Sequence, residues 1–282
     1  MDTRTEGGGG AATADPPAAT PAAAPDLTPP LKWAGGKRWL VPHLRPIGEA
    51  HADRRLVEPF CGGLAVALGL RPRRALLNDI NPHAVNFYRW LARGLEPDVP
   101  MENDRAVFEA NRARFNLLVR EGGEETAEAA ALFWYLNRTG YNGLCRFNGS
   151  GEFNVPFGRY AKIRYAADFA RYRPVLSRWR FLCGDFAALP VEPADLVYAD
   201  PPYDVEFTRY SREAFTWEDQ ERLAAWLAAH PGPVLLSNQA TPRIVRLYRG
   251  LGFRLRFLDA PRRISCNGDR RPAREVLASR NL

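Results

Sequence analysis

Tyr198-Ala199-Asp200-Pro201-Pro202-Tyr203 closes an apolar run that begins at Ala194. The run reads as a strand and Asp200–Tyr203 as the loop leaving it. Two successive prolines fix φ twice and remove two backbone donors. The loop is therefore rigid and presents carbonyls, with a carboxylate before them and an aromatic face after them. These groups suit a flat heterocycle that bears an exocyclic amino group. Asp200 and a proline carbonyl can accept its two N–H hydrogens while Tyr203 stacks on the ring. Such a site makes an amino nitrogen attack a methyl donor. The same tetrapeptide is also what an ordinary stiff turn looks like, so the elements around it have to decide.

Strand and helix signals alternate from about residue 55. A strand over 55–60 runs into Gly62-Gly63 and a short helix over 64–70. A second strand, 75–77, ends at Asn78-Asp79, after which Asn81 caps and Pro82 opens a helix to about Arg93. The pattern resumes with strands at 180–183, 196–198 and 233–237, helices at 218–229 and 242–250, and a final strand pair at 253–258 and 275–279. Alternation of this kind predicts an α/β fold with a parallel sheet covered by helices. Between the halves, 104–121 and 125–138 have helical periodicity, and 139–160 is a Gly-, Asn-, Arg- and aromatic-rich loop or hairpin. Residues 95–175 are expected to form an inserted second domain, with 29–94 and 176–282 making the first.

Ligands of open α/β sheets bind beyond the carboxyl ends of the strands. Four such ends carry marked residues: Glu58 to Gly63, Asn78-Asp79, Gly184-Asp185 and Asp200. A glycine turn admits a ligand close to the backbone. Asp79 stands 21 residues after Glu58, the placement of an acid that binds ribose hydroxyls. The phosphate-binding G-x-G-x-x-G and G-x-x-x-x-G-K-[ST] patterns are absent. A nucleoside ligand without phosphates fits better, and S-adenosylmethionine is one. Upstream, Trp33 offers an aromatic face, Gly35-Gly36 a close approach and Lys37 a partner for a carboxylate. That stretch taken alone reads better as a packed tryptophan beside a turn.

The chain has 282 residues and a net charge of +7. Residues 1–28, rich in Ala, Pro and Gly, carry −3 and read as a disordered tail, leaving +10 on the rest. A basic folded part favours a polyanionic partner. No apolar run approaches the ~20 residues of a membrane span, and the N-terminus has no signal-peptide pattern. Cys61, Cys145, Cys183 and Cys266 have no zinc spacing, nor do His43, His51, His83 and His230 form a ligand cluster. Reduced thiols, no metal and a cytoplasmic protein are expected.

The segments PLKWAGGK (30–37), VEPFCGG (57–63), NDIN (78–81), YLNRTGYNGLCRFN (135–148), GEFNVPFGRY (151–160), DPPY (200–203), SNQAT (237–241) and ISCNGDRR (264–271) occur in one order along the chain. Together they resemble the Dam-type DNA adenine-N6 methyltransferases over about residues 29–281. The resemblance implies a Rossmann-like catalytic sheet with a mainly helical, hairpin-bearing target-recognition insert. It implies Asp200, Pro201, Pro202 and Tyr203 as the catalytic loop, with in-line transfer to an adenine flipped from the duplex. It implies S-adenosylmethionine held by Trp33, Gly35, Lys37, Asp79 and Asp200, with Phe60, Asp185 and Phe186 around its adenosine. It implies contact with double-stranded DNA, in the sequence GATC, through Lys32, Tyr141, Asn142, Leu144, Arg146, Pro156, Arg159 and Tyr160. A monomer working at the nucleoid is the expectation that follows. On the residues alone, the Arg138, Arg146, Arg159, Lys162 and Arg164 stripe with its Tyr141, Phe147, Phe153 and Tyr160 partners fits a DNA surface. It fits a solvated loop over a small aromatic core equally well. A non-catalytic DNA binder and a methyltransferase of RNA or protein amides are the rival classes. Loss of Asp200, Pro201, Tyr203 or the glycine turn would mark the first, and none is lost.

Overall fold

The computed structural model describes residues 27–166, 168–204, 215–261 and 273–282. The tail before residue 27 and the ISCNGDRR segment lie outside the described residues.

Short apolar runs form β1 (Leu56–Glu58), β2 (Ala75–Asp79), β3 (Trp179–Cys183), β4 (Leu196–Ala199) and β5 (Val234–Gln239). All pair in parallel. β6 (Arg254–Ala260) and β7 (Ala273–Arg280) complete a seven-stranded sheet in the order β3-β2-β1-β4-β5-β7-β6. β7 inserts antiparallel between β5 and β6. From β1 the chain winds outward through β2 and β3, then returns to β4 on the other side of β1. The crevice between the ends of β1 and β4 is the switch point where open α/β sheets hold ligands.

Alternation along the strands splits the core between the two faces. Leu56, Leu77, Tyr198 and Leu235 join Phe87 and Leu132 in one cluster, while Val57, Val197 and Leu236 join Leu223 and Ile244 in the other. The helices begin where the sequence supplies caps. In α3 (Pro82–Arg93), Asn81 Oδ1 accepts from the backbone of His83 at 3.0 Å and Ala84 at 3.1 Å, with Pro82 in the first turn. Asp104 and Thr126 likewise cap α4 (Arg105–Arg120) and α5 (Ala127–Thr139). Thr216 and Asp219 form a capping box on α7 (Trp217–Ala229), and Thr241 caps α8 (Pro242–Gly250). Two shorter helices are α2 (Ala65–Leu70) and α6 (Arg173–Leu176). In α1 (Val41–Ala50), the internal Pro46 hides the helical pattern from a sequence reading.

The segment 95–175 shares the larger core: Phe108, Phe115, Leu132 and Phe133 pack in one cluster with Leu56, Ala84 and Phe87. Its tip is no regular hairpin. Bridges link Gly140 to Phe157 and Phe147 to Phe153, and Tyr141–Gly143 is a single 3-10 turn.

Candidate active site

A cavity of about 530 Å³ opens at the switch point. Its wall brings together Trp33, Gly35, Lys37, Phe60, Asp79, Asp200, Pro201, Pro202 and Tyr203, nine residues singled out from the sequence. Glu58, Ile80 and Cys145 share the lining.

The turn after β1 is shaped from two sides. Gly62 has φ +45°, and a Cβ there would sit 2.7 Å from the Trp33 indole nitrogen; at Gly63 it would sit 2.9 Å from the Trp33 Cβ. The glycines thus admit the tryptophan first, and the cavity lies beyond it. Asp79 fixes the same turn from below. Its Oδ2 accepts from the Gly62 N–H at 2.9 Å and its Oδ1 from the Asn81 N–H at 3.0 Å. Burial raises the Asp79 pKa despite these bonds. Tyr88 adds a 2.6 Å bond from its hydroxyl to the Gly62 carbonyl.

Both polar side chains of the loop after β4, and one of its proline carbonyls, are held by other elements. Asp200 takes 2.8 Å from the Ser237 hydroxyl and pairs with the Lys37 ammonium at 3.1 Å. The same ammonium donates to the Gly35 carbonyl at 2.8 Å. Gln220 donates to the Pro202 carbonyl at 2.7 Å and is itself held by Asn238. The Tyr203 hydroxyl reaches Glu275 at 2.6 Å, and Lys37 lies 4.5 Å from its ring centroid. The Pro201 carbonyl has no protein partner among the described residues, so of the two proline carbonyls it is the one open to a ligand. Burial pushes the Asp200 pKa up, opposed by Lys37 and Ser237. Glu58 is wholly buried, and burial with the neighbouring Asp200 drives its pKa well up. Its Oε1 makes no hydrogen bond among the described residues.

A residue profile of the D12 class N6 adenine-specific DNA methyltransferases matches 33–260. This chain belongs to that family. The "Retron Ec67 DNA adenine methylase" of Escherichia coli is 35% identical over 88% of this chain and 90% of its own length. The "DNA adenine methylase" of Vibrio cholerae serotype O1 is 38% identical over 88% of this chain and 94% of its own. The "DNA N-6-adenine-methyltransferase" of Escherichia phage P1 is 37% identical over 86% of this chain, which spans only 34% of that longer protein. The enzyme is therefore an adenine-specific DNA methyltransferase, and DNA is its substrate. No described helix is long and apolar enough to cross a membrane.

Two of the expected cofactor residues stand outside the cavity lining of this methyltransferase. Asp185 caps the turn after β3 through the Ala187 N–H and pairs at both oxygens with Arg222, at 2.8 and 2.7 Å. Phe186 backs Phe60 at 5.7 Å between ring centroids, with the Arg222 guanidinium 4.2 Å from its own centroid. It supports the wall from behind.

The basic and aromatic residues of the insert divide into two sets. Arg138 is buried and donates to the Pro30 carbonyl at 3.0 Å and the Pro29 carbonyl at 3.3 Å. Phe153 is buried, and Phe147 stacks on His83 at 4.6 Å between centroids. Arg138 and Phe153 belong to the core, and Phe147 packs half-buried against it. Tyr141, 50% exposed, and Leu144, 37% exposed, project outward instead. Asn142, Pro156 and Arg159 are exposed beside them, and the Pro156 carbonyl accepts the Tyr141 N–H at 2.8 Å. Arg146 is exposed, yet its fork is aimed by Asn154, with 2.8 Å to the amide oxygen and 3.0 Å to the carbonyl. Lys32 lies 3.6 Å from the Tyr160 ring centroid and donates to the Arg138 carbonyl at 2.9 Å.

Partial burial, then the nearby Arg138, pull the Lys32 pKa down to about 8. Its ammonium form predominates below that value and is lost above it. If Lys32 contacts DNA as a cation, duplex affinity should fall by about tenfold, one charge-assisted contact, as pH rises from 7 to 9.5. Lys32→Arg should remove that pH dependence in fluorescence anisotropy, and a flat wild-type profile would contradict a cationic contact.

Ser237, Gln220, Asn238 and Glu275 have no role in the sequence reading. SNQAT carries a faint signal for two of them. Glu275 shows only as a carboxylate opening the apolar run Val276-Leu277-Ala278.

Proposed function

We propose that the enzyme transfers a methyl group from S-adenosylmethionine to N6 of an adenine flipped from duplex DNA, with GATC as the recognised sequence. The observation that carries this reading is the pairing of Asp200 with the unclaimed Pro201 carbonyl beside the Tyr203 ring. Two acceptors and an aromatic face suit adenine's amino edge. Accepting its N–H bonds returns electron density to a nitrogen whose lone pair is delocalised into the ring. Flipping exposes that nitrogen, and Tyr203 replaces the stacking lost from the duplex.

The cavity fits the donor. Its volume falls in the range of small-molecule sites, and Glu58, Asp79 and Asp200 outnumber Lys37 on its wall. An acidic lining with the unpartnered Glu58 oxygen suits a ligand bearing a sulfonium and an ammonium. Bound there, S-adenosylmethionine supplies a methyl group on a positively charged sulfur. Asp79 would accept from ribose hydroxyls with the lone pairs its backbone bonds leave free. Trp33 and Phe60 would flank the nucleoside, and Lys37 would reach the methionine carboxylate while orienting Asp200. Placing donor and acceptor in line is then the main work of the protein.

Residues 95–175 are read as the target-recognition region. Lys32, Tyr141, Asn142, Leu144, Arg146, Pro156, Arg159 and Tyr160 lie on or beside one exposed tip of it. Methylating plasmid DNA and mapping the product at base resolution tests the whole reading; modification at adenines outside GATC would refute the sequence assignment. Arg146→Ala should cost about 5- to 150-fold in discrimination between GATC and single-base variants, the worth of a bidentate arginine on guanine. Turnover at saturating DNA should change less. Equal losses on every duplex at two salt concentrations would make Arg146 a backbone contact.

A further inference from the structure

The antiparallel β7 brings a further carboxylate to the edge of the sheet where the site lies. Strands β1, β2 and β4 lead into the cavity wall at their carboxyl ends, and β5, parallel to β4, ends on the same side of the sheet. β7 runs the other way, so its first residues arrive at the same edge: Glu275 pairs with Gln239, the last residue of β5. There it is buried, 7% exposed, and its Oε2 receives the Tyr203 hydroxyl at 2.6 Å.

We propose that Glu275 is a positioning residue that fixes the Tyr203 ring for the extruded base. This inference rests on the reading of Tyr203 given above. Tyr203 ends a rigid loop, but the prolines constrain only the backbone before it. Its own side-chain torsions are free unless something holds the far end of the ring. A hydrogen bond from the phenol to a carboxylate on a different strand does that. It sets the ring plane against Lys37, which lies 4.5 Å from the centroid on one face. The rest of the loop is anchored in the same manner: Ser237 and Gln220 hold Asp200 and the Pro202 carbonyl. Glu275 adds a hold at Tyr203, which those two do not reach. Losing the clamp would leave the ring in the site but spread over several orientations, so that fewer encounters place the amino nitrogen in line.

The test is a double-mutant cycle on the full chain, read as single-turnover rate on a duplex the wild type methylates. Glu275→Ala and Tyr203→Phe should each lower the rate about 10- to 100-fold, the value of a hydrogen bond to a charged acceptor. The double mutant should be no slower than either single mutant. Glu275→Gln, whose amide oxygen still accepts from the phenol, should recover most of the loss. Affinity for S-adenosylmethionine, measured by calorimetry, should move far less than the rate, and this split separates positioning from a loosened fold. Multiplying losses in the double mutant, or a glutamine variant as slow as the alanine, would overturn the clamp. Tyr203→Ala separates the two readings. An inactive Tyr203→Ala beside unimpaired Tyr203→Phe and Glu275→Ala removes the clamp alone. A Tyr203→Ala that turns over like wild type removes the stacking role and the clamp with it.

Discussion

Asp200→Ala should abolish methyl transfer and leave the fold near intact. The carboxylate sits where β4 ends, with its side chain 18% exposed, one oxygen on Ser237 and the other on Lys37. Removing it takes away an acceptor aimed at the amino group, which in preorganised sites is worth on the order of 10²–10³ in rate. It also releases Lys37, the group proposed to meet the methionine carboxylate, so binding and chemistry suffer together. Stability should change little, because the loss of the Lys37 pair is offset by no longer burying the Asp200 carboxylate. The acceptor must be ionised, and burial holds the Asp200 pKa above the ordinary carboxylate value. The wild-type rate should therefore decline on the acid side, beginning at a higher pH than a solvent-exposed aspartate would give. Single-turnover kinetics with a melting curve decide the matter. A mutant within tenfold of wild type would remove Asp200 from the mechanism.

Asp79→Ala should strike affinity and stability at once. One oxygen takes the Gly62 N–H in the turn after β1 and the other the Asn81 N–H at the start of α3. Leaving one buried and one part-buried donor unmet costs about 1–3 kcal/mol each, so unfolding free energy should drop by about 2–6 kcal/mol in urea. Affinity for S-adenosylmethionine should fall by about 100-fold, from the lost ribose acceptor and the slackened turn. Calorimetric titration at a temperature where the variant is folded separates the effects. Unchanged affinity beside the stability loss would make Asp79 a strut of the turn and nothing more.

Local signals carried the sequence reading as far as they physically reach. Asn81-Pro82 and Thr241-Pro242 mark the starts of α3 and α8 because a cap and a first-turn proline act within one turn of chain. The strand-end argument likewise collects Glu58, Asp79 and Asp200 at one cavity. Asp185, the remaining strand-end acid, stands apart from that lining, and strand order shows why. β3 is the edge strand on that side, two positions from β1, and the acid that follows it pairs with Arg222 on α7. Glu275 and Gln220 are illegible because their partners, Tyr203 and the Pro202 carbonyl, are 72 and 18 residues away in the chain. Arg138 misleads in the opposite direction. A basic residue among basic residues reads as surface, and here two prolyl carbonyls from 108 or more residues away take it inside.

That buried arginine bears on how recognition could be transplanted. Asn137 holds both the N–H and the carbonyl of Lys32, at 2.7 and 2.9 Å, while Arg138 grips Pro29 and Pro30 just upstream. The end of α5 and the strap leading to Trp33 are thus a single interlocked piece. A chimera that exchanged only residues 95–175 with a relative of different sequence preference would bring a latch without its matching bolt, and Trp33 would lose its seat on the glycine turn. The exchangeable cassette is discontinuous: the insert together with residues 29–33.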